Sequence, residues 1–166
     1  MNAEELKAIQ SSLKKQYSDD PSSALVTLLA TGRVSAGLSC NVETVKGLVE
    51  AGPHQGMGGN GTLACSGNML LESLVACSGV TLRVVAAAMD INLRDAVITA
   101  EGDLDFRGVL AVAKDAPVGF KSLRLQFTLD TDATEEQREM LIRLTERYCV
   151  VLQTLRPAIT VKQRTL

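Results

Sequence analysis

Between Asn68 and Met89 the chain reads NMLLESLVACSGVTLRVVAAAM, with Glu72 and Arg83 as its only charges. This segment is too long for one strand, and its Leu, Ala and Met content favours helix. Apolar residues fall on nearly every face, so the spacing predicts a helix buried on most sides. Glu72 and Arg83 return to nearly the same face and mark its wet stripe. Ser78, Gly79 and Arg83 interrupt the apolar run, which stays short of the ~20 uninterrupted apolar residues of a membrane span. A helix of this kind needs cover on several sides. In a chain of 166 residues, one sheet covers only one of them. A homodimer with the Asn68–Met89 helix near its interface is therefore expected.

The flanking sequence supplies the cover. Residues 3–16 are charged and mildly amphipathic, and predict a helix ended by Asp19, Asp20 and Pro21. Residues 24–50 are rich in Val, Leu and Thr. SCNVETV alternates as a half-buried strand does, and Lys46-Gly47 suits a hairpin turn. The glycine-rich stretch up to Asn68 predicts a loop. Residues 93–114 predict two strands around Gly102 or Gly108, and KSLRLQFTLD at 121–130 predicts another strand. Thr134 and Gln137 form a capping-box pattern. From there Met140, Leu141, Leu144, Tyr148, Val151, Leu152 and Leu155 follow helical spacing up to Pro157, and AITVKQ predicts a last strand. No βαβ unit repeats, so the expected class is α+β, in a single domain over 1–166 with 1–22 as an N-terminal helical extension.

Composition narrows the function. A net charge of −2, no Trp and 3% aromatics give no surface for nucleic acid or an anionic membrane, and no base-stacking platform. The N-terminus, MNAEELKAIQ, lacks a secretory pattern. The expected compartment is the cytoplasm, with Cys40, Cys65, Cys77 and Cys149 reduced at rest. No CxxC or CxxH pair exists and His54 is the single histidine, which argues against structural zinc. GMGGNG lacks the strand and Lys context of a phosphate loop. Thiols remain as the candidate chemistry. A Cys inside a helix behaves by default as a small hydrophobe. Reactivity at Cys77 requires a lowered pKa, and Ala76, Ser78 and Gly79 beside it supply room but no charge.

LLESLVACSGVTLRVVA, DLDFRGVLAV, APVGFKSLRLQFTLD and ERYCVVLQTL, in this order, resemble the OsmC/Ohr family of osmotically inducible and organic hydroperoxide resistance proteins. The resemblance runs from about Ala24 to Val161. It implies antiparallel sheets around a buried central helix, in an intertwined homodimer with sites at the subunit interface. It also implies a role for each thiol. Cys77 would attack a hydroperoxide and become a sulfenic acid, Cys149 would condense with it to a disulfide, and an external dithiol or lipoyl-type reductant would restore the pair. No metal, flavin or haem is implied. Family peroxidases carry Pro and Glu early in the helix, where this chain has Ser66, Gly67 and Asn68. Glu72 then stands in for the Glu, and Arg33 is the Arg of the early strands expected to activate Cys77. The alternative is a non-enzymatic member of the fold that binds a hydrophobic small molecule at the dimer interface, with both cysteines as core residues.

Overall fold

The computed structural model describes Glu4, Asp19, Asp20 and residues 31–34, 40–44, 47–111, 113–155 and 159–165; side chains are described for Glu4, Asp19, Asp20, 47–111 and 113–155. The expected helix at 3–16 and the Lys46 side of the hairpin turn lie outside the described residues. Met1–Thr31 and Gly32–Leu166 are two compact units, and the second holds nearly all of the described residues.

Strands β1 (Thr31–Val34), β2 (Cys40–Thr44), β3 (Gly47–Gly52) and β4 (Ala64–Cys65) form one sheet in that order. β2 and β3 are an antiparallel hairpin closed by the Thr44–Gly47 pair, so Gly47 is the first residue of its strand. β4 pairs parallel to β3 and leads directly into helix α1 (Ser66–Ala88), which starts two residues earlier than its sequence pattern suggests. Strand β5 (Leu93–Leu104) and the short helix α2 (Phe106–Val109) come next. They are followed by β6 (Phe120–Thr131), helices α3 (Glu135–Tyr148) and α4 (Val150–Leu155), and β7 (Ile159–Thr165). The capping box at Thr134 and Gln137 is present in both directions.

The second sheet is β5-β6-β7. β5 and β6 are antiparallel, as expected, whereas β7 pairs parallel to β6. The two strands expected between 93 and 114 are instead one strand and a short helix. Gly102 does not end β5, because it pairs with Leu123 in mid-ladder. The Phe120 ring lies 2.5 Å from where a Cβ on Gly102 would stand, so the glycine here makes room for an aromatic ring.

Leu123, Leu125, Phe127 and Leu129 of β6 are buried, and Ala96, Ile98 and Ala100 stand opposite the last three of them on β5. α1 lies on this face and packs against β5, α3 and α4. Leu74, Ser78, Leu82, Val85 and Ala86 of α1 join Leu141, Ile142, Cys149 and Leu152 in the buried interior. Each large apolar side chain buried there contributes about 1.5–3 kcal/mol. By length and composition α1 is the single membrane-span candidate among the described residues. Its 74–78–82 stripe is spent on the protein core.

Among the described residues, the cover on α1 is incomplete. Glu72 and Arg83 are exposed as expected, but so are Ser73, Ala76 and Val80, the last at 68%. Burial on most sides is not met by the described residues: β5 and the C-terminal helices pack on α1 and leave these positions open.

Candidate active site

Cys77 sits on α1 at the edge of the buried stripe, half-buried and packed against the core. The residues that complete its surroundings come from a break in the C-terminal helical segment. The sequence pattern runs on to Leu155, but the helix stops at Cys149, whose φ of −75° and ψ of 108° are extended. Thr145 bonds its hydroxyl back to the Leu141 carbonyl at 2.8 Å, an arrangement that bends helices. The Cys149 amide still donates to the Thr145 carbonyl at 2.9 Å, and its carbonyl accepts from Gln153 at 2.9 Å. Cys149 thus closes α3 and opens α4.

The first amides of a helix have no partner within it. Those of Val150 and Val151 act on the Cys77 sulfur and lower its pKa. Burial pushes the Cys77 thiol up, but the Val151 amide, the Cys149 thiol, the Val150 amide and the Thr81 hydroxyl together bring it below its ordinary value. These donors stabilise the charged form. The Thr81 hydroxyl has one hydrogen, and it goes to the Cys77 carbonyl at 2.8 Å, so Thr81 is the weakest of these influences on the sulfur.

Cys149 is fully buried. Burial raises its pKa, and the neighbouring Cys77 adds to the rise against the Ser78 hydroxyl and the Leu152 amide. The Ser78 Oγ lies 3.4 Å from the Cys149 Sγ. Cys77 and Cys149 are both free thiols. Two cysteines far apart in sequence therefore meet with opposite tuning: the Cys77 thiol lies below its ordinary pKa and the Cys149 thiol above it.

The remaining sequence candidates lie elsewhere. Glu72 is exposed, five residues before Cys77 and so rotated roughly 140° around the helix. It lines a hollow of about 430 Å³ with Asn68, Leu71, Val75, Ala76 and Ala100. Arg33 is in β1 and Cys40 in β2; both side chains lie outside the described residues. Cys65 is the half-buried N-cap of α1 and makes no capping bond. Arg83 donates to the Leu93 carbonyl. His54 stacks on Phe106 and accepts from the Gly56 amide. Among the described residues no His, Cys, Asp and Glu cluster is placed to hold a metal.

Sequence reasoning missed the amides of Val150 and Val151, the Thr81 hydroxyl and Ser78. Main-chain donors carry no residue signature, and the helical spacing runs unbroken through Cys149. The expectation that a cation must activate Cys77 overlooked this source.

The model of the OsmC family, described as OsmC-like protein, matches residues 59–164. The chain belongs to the OsmC family. Among solved structures it is similar to an OsmC-like protein from Mycoplasma pneumoniae, at 14% identity and a TM-score of 0.69, over 85% of this chain and 96% of that one. It is also similar to an organic hydroperoxide resistance protein OsmC from Legionella pneumophila, at 23% identity and a TM-score of 0.64, over 86% and 98%. The organic hydroperoxide resistance protein OhrB of Bacillus subtilis matches at 20% identity and a TM-score of 0.61, over 86% and 100%. No curated protein matches the chain. At these identities the structural matches establish the shared α+β fold.

Proposed function

We propose that the chain is a thiol-dependent peroxidase that reduces organic hydroperoxides. The observation that carries this reading is the meeting of Cys77, held low by two helix-start amides, with Cys149, held high by burial. The Cys77 thiolate attacks the peroxide: an S–O bond forms, the O–O bond breaks, and the alkoxide leaves with a proton as alcohol. The Cys149 sulfur then attacks the Cys77 sulfenic acid, forming the disulfide and releasing water. An external dithiol, such as a lipoyl-type group, takes up the oxidation by thiol–disulfide exchange. The site needs no metal, flavin or haem for these steps, and they require a reducing compartment such as the cytoplasm.

The apolar side chains lining the hollow beside Glu72, Leu71, Val75, Ala76 and Ala100, one of which adjoins Cys77 in sequence, favour an organic hydroperoxide over hydrogen peroxide. The same hollow supports a second reading, a binding protein that takes up a hydrophobic small molecule where two subunits meet. Arg33 and Glu72 are proposed to assist Cys77 as an activating cation and the acid that orients it.

Peroxide consumption with dithiothreitol separates the two readings. Wild type should turn over, and Cys77→Ser should not. Intact mass spectrometry should show loss of two protons in wild type, gain of two or three oxygens in Cys149→Ser, and little change in Cys77→Ser. Random oxygen gain across all four cysteines would favour the binding protein.

A further inference from the structure

Ser78 follows the reactive residue and lies on the stripe Leu74–Ser78–Leu82, where the helix repeat calls for an apolar side chain. It is fully buried, as are Leu74 and, to within 1%, Leu82. A buried hydroxyl without a partner costs roughly 1–3 kcal/mol. A helical Ser ordinarily avoids that cost by bonding the carbonyl one turn back, as Thr81 does with Cys77 and Thr145 with Leu141. Ser78 instead has its hydrogen bond with the Cys149 Sγ at 3.4 Å. The hydroxyl thus crosses from the helix of one thiol to the sulfur of the other.

We infer that Ser78 is a positioning residue for the second thiol: it holds the Cys149 sulfur beside Cys77 and donates to it as its proton leaves. This rests on the peroxidase reading and assigns its disulfide-forming step. In that step the Cys149 S–H is lost, the S–S bond forms, the Cys77 S–O bond breaks, and proton and hydroxide leave as water. The titratable group facing Cys149 is Cys77 on α1. Thr145 on α3 and the Leu152 amide on α4 are its other polar neighbours, and among the described residues no charged side chain acts on it. A donated hydrogen bond raises the thiolate fraction but blunts nucleophilicity. With the usual Brønsted dependence, a tenfold loss of thiolate is offset about threefold by greater nucleophilicity, leaving a net loss of about threefold.

Stopped-flow measurement of the two oxidation steps across pH tests this on the full chain. In Ser78→Ala, sulfenic acid formation at Cys77 should keep its wild-type rate, while disulfide formation slows at neutral pH, by about threefold for each tenfold loss of thiolate. The midpoint of that second step should move to higher pH. Well above it the variant should overtake wild type, because its fully ionised thiolate is the better nucleophile. Ser78→Thr, which restores a hydroxyl, should return the midpoint toward wild type. A Ser78→Ala profile that superimposes on wild type, or one lowered equally at every pH and in both steps, overturns the assignment as a merely structural effect. If wild type forms no Cys77–Cys149 disulfide, the peroxidase reading fails and this role falls with it. A normal disulfide in wild type with an unmoved midpoint in Ser78→Ala removes Ser78 alone.

Discussion

At the scale of single residues, the site separates two chemically identical thiols by their surroundings. Cys77 gains donors that burial does not cancel, whereas Cys149 sinks into the core beside a second sulfur. The thiolate fraction of Cys77 therefore rises at lower pH than that of an ordinary thiol, and Cys149 ionises later. Titration by ultraviolet thiolate absorbance should show an early step that disappears in Cys77→Ser and persists in Cys149→Ser. Arg33→Ala should shift that early step upward; an unmoved curve removes Arg33 from the mechanism and leaves the amides as the activating groups. The two cysteines were legible in the sequence because a resemblance singled them out. Spacing and composition said nothing of their meeting, which depends on how α1 lies against α3 and α4. Ser78 was visible only as room beside the sulfur, since its partner is 71 residues away.

Among the elements, the decisive one is the interruption between α3 and α4. Helical periodicity was read correctly from Met140 to Leu155, but a pattern of apolar spacing does not register one extended residue between two helices. The same blindness made Gly102 look like a strand end, when its function is to admit the Phe120 ring. The break yields a selective test. Val150 is the first residue of α4, a position that tolerates proline. The preceding Cys149 already has the extended ψ of 108° that proline imposes on its neighbour. Val150→Pro should therefore fold with a melting temperature within a few degrees of wild type. It deletes one amide donor to Cys77, so the early thiolate step should move up and peroxide consumption at neutral pH should fall severalfold. An unchanged thiolate step in a folded variant would show that the Val150 amide does not tune the sulfur.

For the whole molecule, the question is what covers the outer face of α1. The sequence demanded cover on several sides, and the described residues leave part of the helix bare. Val80, three residues beyond Cys77, is 68% exposed, and Val150, beside Cys149, is 70% exposed. Apolar residues left bare around the two cysteines are the pattern expected where a second copy closes over them. Val80→Asp places a charge on that face without touching the core. Light scattering should show a dimer for wild type and a monomer for Val80→Asp, with peroxidase activity lost alongside. A folded wild-type monomer at micromolar concentration would remove the dimer and leave the hollow beside Glu72 open to solvent.

Because β7 runs parallel to β6, the chain between Thr131 and Ile159 must travel back along the sheet before it can pair again. Cys149 lies on that return path, pinned upstream by the Leu93–Thr131 pair and downstream by the Leu123–Ile159 pair. One residue added after Cys149 would turn everything behind it by roughly 100° and swing both amides off target, with neither cysteine altered. The sulfur pair can thus stay intact and still lose its tuning. What distinguishes a working descendant is then an interval rather than a letter: the distance along the chain from the buried thiol to the two amides that follow it.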